Sequence, residues 1–212
     1  MGALYHENSK LPCIDNVKGL ADIDLSFEKY EGFTNTFVAI DIETTGLKYD
    51  EHKIIQLSGV KYIEGKEVER FDEYINPEVY IPKFITDING ITNQMVKSMP
   101  TIDVIIPKFV EFVEDYTIVA HNSKFDMKFI LFNLHMYNVF NSNHIQINNR
   151  VVDTLLLSRK HLKGMVENNK LITLKRHFNI TTEKEHCGID DAYSCAEIYI
   201  KINQIVNSKT TF

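Results

Sequence analysis

Two acidic residues at the end of an apolar segment are the first candidates for chemistry. Phe37 to Ile40 is apolar throughout and predicts a buried strand that continues to Glu43. Asp41 and Glu43 stand two residues apart, so a strand places both carboxylates on one face, ~6.6 Å apart along the chain. Carboxylates at the end of a buried strand repel each other, and a bound divalent cation would remove that repulsion. The alternative is that the strand simply ends here and both acids face water.

Three further residues could join these acids, although each also has a simpler explanation. Asp126 stands three residues after Ser123, which is also the spacing of a helix-capping box. His186 lies in a predicted loop, where a single histidine is usually solvated. Asp191 lies in the first turn of the last predicted helix, where the helix dipole favours an acid. A metal-dependent site therefore depends on whether the fold brings these side chains together.

The elements around these residues predict an α/β fold with a mixed sheet. Strands are predicted over 36–43, 53–63, 67–75, 116–120 and 151–152. The second and third are separated only by Glu64-Gly65, which predicts a hairpin. Helices are predicted near 82–88 and 102–114, after Ser123, after Asp153 as a helix cap, and over 189–206, whereas 137–149 holds five Asn and predicts a loop. A hairpin followed by alternating strands and helices implies a mixed sheet with helices on its faces.

Composition and charge are typical of a globular protein. Of the 212 residues, 44% are hydrophobic and 25% charged, which fits one domain with an extension. No segment approaches ~18 uncharged apolar residues, and the first residues lack the pattern of a secretory signal. Cys13, Cys187 and Cys195 have neither disulfide nor metal-site spacing, so we expect a reducing cytoplasmic environment. The net charge, 23 − 29 = −6, argues against a protein that mainly coats nucleic acid.

Four segments, in order along the chain, resemble the DEDDh (DnaQ-like) 3′–5′ exonuclease family. They read FVAIDIETTGL (37–47), HNSKFDMKF (121–129), VVDTLLL (151–157) and HCGIDDA (186–192), and NPEVYIPKFITDINGIT (76–92) is similar to the segment between the first two family motifs. The resemblance looks closest to the proofreading epsilon subunit of bacterial DNA polymerase III and to exonuclease domains of Gram-positive replicative polymerases. It implies a ribonuclease H-like fold, with a five-stranded mixed sheet flanked by helices in residues 36–208. Residues 1–35 would be an irregular N-terminal extension.

The resemblance also implies a role for each candidate residue. Asp41 would contact both of two metal ions. Glu43 and Asp191 would complete one metal site, and Asp126 would serve the second. His186 would be the general base. The residues that would contact the terminal nucleotide are Thr44, Thr45, Gly46, Leu47 and Asn122.

The residue types agree with this chemistry. Two hard cations ~3.5–4 Å apart can activate a water and stabilise charge on a phosphate, and carboxylate oxygens are the ligands they prefer. We therefore expect two Mg²⁺ or Mn²⁺ ions as cofactors. A histidine with an ordinary pKa of ~6.5 can take a proton from water near neutrality. Together with these residue types, the resemblance implies a cytoplasmic 3′–5′ exonuclease that releases nucleoside monophosphates from single-stranded or mismatched 3′ ends of DNA, with a DNA polymerase as a candidate partner.

Several alternatives stay open at this point. The same motifs occur in ribonucleases that trim RNA, and a non-catalytic docking subunit could keep the fold, although all five catalytic groups are present. Asn122 could cap the following helix, and 44–47 could form an ordinary turn. Gly188 stands where the family usually has Ala, which could loosen the loop of His186. The net charge of +5 across 159–176 fits either a rim that guides phosphates or a solvated helix face.

Overall fold

A mixed five-stranded sheet forms the centre of the fold in residues 23–142, 144–182 and 187–210, which the computed structural model describes. The strands are β1 (Phe37–Thr44), β2 (Ile54–Ile63), β3 (Lys66–Tyr74), β4 (Thr117–Ala120) and β5 (Val151–Asp153). Their order in the sheet is β3-β2-β1-β4-β5. β1 pairs antiparallel with β2 and parallel with β4, β5 is parallel to β4, and β2 and β3 form the predicted hairpin. The predicted mixed sheet is therefore confirmed.

Seven helices accompany the sheet within the described residues. They are α1 (Lys83–Asn89), α2 (Asn93–Val96), α3 (Ile102–Val113), α4 (Lys124–Phe140), α5 (Thr154–His161), α6 (Leu171–His177) and α7 (Gly188–Thr210). Within those same ranges, none of the helices combines the length and the apolar character that crossing a membrane requires.

Each face of the sheet carries an apolar core because β1 and β4 are apolar on both faces. On one face, Val38 and Ile40 share a core with residues of α3 and α4. On the other face, Phe37 and Ala39 share a core with α7. Three small residues of α7, Ala192, Cys195 and Ala196, are buried there. Side chains of such small volume let α7 lie close to β1.

Helix α4 differs from the prediction at both ends. It continues through Tyr137 to Phe140, a stretch that the sequence assigned to a loop, because Tyr137 packs against the core. At the other end the predicted capping box of Ser123 and Asp126 is absent. Ser123 has helical backbone angles, and its hydroxyl donates to Asp153 Oδ2 over 3.2 Å instead. Asp153 caps α5 as predicted, since its carboxylate accepts from the Leu155 N–H.

A short stretch before β1 pairs with the outer edge of β5. The N–H of Tyr30 donates to the Val151 carbonyl, and the N–H of Val151 donates to the Glu28 carbonyl, each over 2.8 Å. Farther along, the Thr34 N–H donates to the Tyr199 hydroxyl on α7. These contacts hold the described part of the predicted extension against the sheet and α7. Residues 1–22 of that extension lie outside the described residues.

Candidate active site

The two acids of β1 lie on the face of the sheet that α7 covers. Asp41 and Glu43 are partly exposed on either side of the buried Ile42. Since side chains alternate along a strand, the two acids share the face of Phe37 and Ala39, whose side chains belong to the core under α7. The prediction that both carboxylates share one face at the strand end therefore holds in the structure.

The first turn of α7 brings a third carboxylate to this place. Asp41, Glu43 and Asp191 each offer an oxygen, and the three oxygens lie within 4.8 Å of one another. The Asp191 N–H donates to the Cys187 carbonyl over 2.9 Å, at the very start of the helix. Residues far apart in sequence thus form one acidic group. We use the name acid cluster for these three acids and Asp126, which is described next.

Asp126 lies beside these three acids, buried in the first turn of α4. Burial raises the pKa of Asp126 to about 8, although hydrogen bonds from backbone N–H groups, including that of Ile42, oppose the shift. Burial also raises the pKa of Asp41 well above its usual range, and repulsion from Asp126, Glu43 and Asp191 adds to this. The fold therefore gathers four acids where their negative charges destabilise one another.

The acid cluster has the chemistry of a site for hard divalent cations. Its donors are carboxylate oxygens, which Mg²⁺ and Mn²⁺ prefer over nitrogen or sulfur. A bound cation would also remove the repulsion that raises the pKa of Asp41. The residues present thus fit the metal ions that the sequence predicted.

A buried lysine that sequence reasoning did not single out faces the acid cluster. The Lys175 side chain on α6 is only 6% exposed, and its Nζ lies 3.6 Å from Asp191 Oδ1. The same Nζ donates to the Thr182 hydroxyl over 3.0 Å, in the segment that leads towards residue 186. The sequence grouped Lys175 with the other cations of 159–176, which are exposed, and nothing in its local pattern marks it as buried. For Lys175, both the rim and the solvated-face interpretations are wrong.

A buried asparagine holds the second carboxylate of β1. Asn89, the last residue of α1, donates from Nδ2 to Glu43 Oε2 over 3.0 Å, and its Oδ1 accepts from the Ile91 N–H. Gly90 then ends the helix with φ +76°. Sequence reasoning noted the surrounding segment without selecting Asn89. The signal was the Asn-Gly pair at a helix end, where the asparagine is buried rather than solvated.

A polar network on β2 and β3 anchors the start of α7. Gln56 and Ser58 both donate to Asp72 Oδ1 over 2.7 Å, and the Gly188 N–H donates to Gln56 Oε1 over 3.3 Å. A Cβ added to Gly188 would lie 2.6 Å from Ser58 Oγ, closer than nonbonded atoms approach. Glycine therefore stands at this position because Ser58 occupies the space that an alanine methyl would need.

The residues that the sequence assigned to the substrate form a turn beside β1 and a second turn after β4. Thr44, Thr45 and Gly46 are buried, and the Thr44 hydroxyl donates to the Gly46 carbonyl, whereas Leu47 is 82% exposed. Asn122 is exposed with φ +69°, and its N–H donates to Asp153 Oδ1. The Asn122 carbonyl accepts from the Phe125 N–H over 2.9 Å at the start of α4. An exposed leucine and an exposed amide are thus available at the margins of the acid cluster.

The position of His186, the predicted general base, lies outside the described residues. The nearest described residues on either side of it are Thr182 and Cys187. Thr182 contacts Lys175, and Gly188 contacts Gln56. The role of His186 therefore stays a prediction from the sequence.

Comparison with protein families and sequences gives a consistent result. Residues 38–199 match the RNase_T family model, which is described as an exonuclease family. The PolC-type DNA polymerase III of Caldanaerobacter subterraneus subsp. tengcongensis is 40% identical over 166 residues, which are 78% of this chain and 11% of that protein. The DNA polymerase III subunit epsilon of Aquifex aeolicus is 35% identical over 169 residues, which are 79% of this chain and 80% of that protein. The chain thus spans only a small part of the PolC-type relatives and most of the epsilon subunit.

Solved structures share the fold. Exonuclease X in complex with 5′ overhanging duplex DNA superposes with a TM-score of 0.63 at 23% identity, covering 79% of this chain and 91% of that chain. E. coli Exonuclease I in complex with a dT13 oligonucleotide gives a TM-score of 0.68 at 17% identity, covering 84% of this chain and 43% of that chain. These values support the ribonuclease H-like arrangement of the sheet and its helices.

Proposed function

We propose, since this chain belongs to the RNase_T family of exonucleases, that it removes nucleoside monophosphates one at a time from the 3′ ends of DNA. The observation that supports this most directly is the approach of Asp41, Glu43 and Asp191 to within 4.8 Å of one another beside the buried Asp126. The relatives named above are components of DNA polymerase III, and this favours DNA over RNA and a role in proofreading or repair.

The positions of the four acids suit the binding of two divalent cations. Asp41, Glu43 and Asp191 would hold one cation, and Asp41 with Asp126 would hold a second, either Mg²⁺ or Mn²⁺. When bound, the two cations would supply charge stabilisation for the phosphate and the leaving oxygen. Asn89 fixes the orientation of Glu43 through a hydrogen bond to Oε2. His186 would accept the proton of the attacking water, as the family resemblance implies.

The terminal nucleotide would bind at the turn after β1. Thr44, Thr45 and Gly46 would contact its sugar and phosphate, and the exposed Leu47 would pack on its base. Asn122 would contact the substrate from the other side of the acid cluster. Unpairing the terminal base of a duplex costs a few kcal/mol. We therefore expect unpaired or mismatched 3′ ends to be cleaved faster than matched ones.

The test is a time course with 5′-labelled and 3′-labelled single strands of DNA and RNA in the presence of Mg²⁺ or Mn²⁺. The proposal expects a descending ladder from the 5′-labelled DNA, immediate release of labelled mononucleotide from the 3′-labelled DNA, and loss of both with chelator. Asp126→Asn should abolish the ladder, whereas Asp115→Asn, a matched change at an exposed acid after α3, should not. A single internal cut, or release only from the 5′ end, would contradict the proposal.

A further inference from the structure

A groove opens on the β5 side of the sheet. It has a volume of about 370 Å³ and lies between residues 27–31, β5 and α5. Phe27, Tyr30 and Leu155 give it apolar walls. β5, which lines the groove, is two strands from β1, a separation of ~10 Å across the sheet. Residues 27–31 precede the part matched by the family model, so this wall is additional to the matched exonuclease region.

The side chains around this groove make it locally basic. Four cations contribute to its lining, namely Lys29, Lys124, Arg159 and Lys160. The two acids of the lining are already engaged. Glu31 pairs with Lys160 over 2.8 Å, and Asp153 accepts the N–H groups of Asn122 and Leu155. Four cations against two acids leave +2 in a chain whose net charge is −6. Lys29 and Arg159 are both exposed and can reach a ligand in the groove.

The groove shares lining residues with a larger cleft, and one acid of its lining lies near the acid cluster. The cleft, of about 790 Å³, shares Asn122, Leu155 and Arg159 with the groove and adds one further cation, Lys170, and one acid, Glu167. At the inner end, Asp153 and Ser123 of the groove lining hydrogen-bond to each other, and Asp153 is close enough for its charge to act on Asp126. A single strand that leaves the acid cluster past Asn122 can therefore pass Arg159 and Lys29, which line the same groove as Asn122.

We propose that this groove binds the sugar–phosphate backbone of the single strand whose 3′ end is in the acid cluster, with phosphates near Arg159 and Lys29 and a base against the apolar wall. The inference rests on the proposed function and extends it by assigning a binding site upstream of the cleaved bond. Cations that follow an apolar wall suit single-stranded nucleic acid, because the cations neutralise phosphates while the wall receives bases. Long strands should gain affinity from this site, whereas a dinucleotide should not, since its one internucleotide phosphate is the scissile one.

The experiment compares a long single strand with a dinucleotide as substrates of the full chain. Lys29→Gln, Arg159→Gln and the double variant are measured beside Lys108→Gln, which removes an exposed lysine of α3 far from the groove lining. For the double variant, KM for the long strand should rise about tenfold while kcat and dinucleotide cleavage stay unchanged. Each phosphate contact contributes ~0.7 to the slope of log affinity against log salt on single strands, so the slope should fall by ~1.4 in the double variant. Lys108→Gln should behave like wild type.

The outcomes separate this inference from the proposed function. Wild-type chain that cleaves neither substrate would contradict the proposed exonuclease activity itself. If wild type cleaves both, an unchanged KM and salt slope in the double variant would overturn the groove as a backbone site. Equal losses on the long strand and the dinucleotide would overturn it as well, because the two cations would then act at the scissile phosphate. Circular dichroism and thermal unfolding of the variants check that both exposed positions tolerate glutamine.

Discussion

Lys175 places an ammonium group against the acid cluster of four carboxyl groups. Its Nζ is 3.6 Å from Asp191 Oδ1, and both side chains are largely buried. Breaking a buried ion pair by removing one partner is costly because the other charge is left uncompensated. In the absence of a divalent cation, Lys175 therefore offsets part of the negative charge of Asp191.

We predict that Lys175→Met lowers the free energy of unfolding of the metal-free protein by about 3 kcal/mol. Saturating Mg²⁺ should restore part of this loss, since the cation then neutralises Asp191. Denaturant unfolding with chelator and with Mg²⁺ measures both values. Lys163→Met, at an exposed lysine of the same basic stretch, should change stability little under either condition. An equal loss with and without Mg²⁺ would show that Lys175 acts through packing alone.

We predict that removing the charge of Asp41 raises the stability of the metal-free protein and lowers its activity. Burial and three neighbouring acids raise the pKa of its carboxyl, so the ionised form is disfavoured in the folded protein. Asp41→Asn keeps the size and removes the charge, so near neutral pH we expect the metal-free variant to be more stable than the wild-type protein. Exonuclease activity should fall by orders of magnitude, and the thermal stabilisation by Mg²⁺ should shrink. Wild-type activity in purified Asp41→Asn would refute the two-cation assignment.

The residues that sequence reasoning could place are those whose role depends on local spacing. Asp41 and Glu43 share a face because a strand alternates, and Asp191 lies in the first turn of a helix. The contacts of Lys175 and Asn89 with the acids depend instead on which helices and strands pack against each other. The sequence does not specify that α6 directs a lysine towards α7, or that α1 ends beside β1.

At the scale of elements, the position of α7 depends on a close contact between its first residue and β2. The Gly188 N–H donates to Gln56, and the Gly188 Cα faces Ser58 Oγ without room for a methyl group. Since Asp191 lies in the same first turn, any displacement of this turn would move a carboxylate of the acid cluster.

Gly188→Ala is therefore expected to reduce kcat by about tenfold or more, because displaced catalytic groups are costly. Ser58→Ala removes the Oγ that lies 2.6 Å from the added methyl, so the double variant Gly188→Ala/Ser58→Ala should recover part of the rate. Kinetics of the two single variants and the double variant form a cycle that measures this coupling. Additive losses would mean that Ser58 is not the obstacle.

Helix α4 illustrates what local patterns miss at this scale. The Ser-x-x-Asp spacing predicted a capping box, yet the Ser123 hydroxyl turns to Asp153, which also caps α5. One carboxylate thus serves the turns after both β4 and β5, which lie side by side only in the folded sheet. Likewise, asparagines suggested a loop from Tyr137, but packing of Tyr137 against the core extends the helix to Phe140.

At the scale of the molecule, the order of strands and helices was predictable because β1 and β4 are apolar on both faces. Such strands must lie at the centre of a sheet with helices on either side. The total charge of −6 did not predict where the charges lie. The acids gather at the end of β1, whereas exposed cations lie on α5 and line the groove. Only the fold reveals that the two regions adjoin.

The pairing of residues 28–30 with β5 has a consequence for how the protein behaves at high concentration. An outer strand with free N–H and C=O groups is a template for pairing with another copy. At Val151, both the N–H and the carbonyl are already hydrogen-bonded to this segment. A shortened chain that begins at residue 37 should therefore self-associate, with light scattering that rises with concentration, whereas removal of residues 1–22 alone should leave the protein monodisperse. If both truncations scatter like the full chain, the edge is protected in another way. Increased scattering only in the chain that begins at residue 37 would show that the segment before β1 protects this edge from aggregation, in addition to forming a wall of the groove.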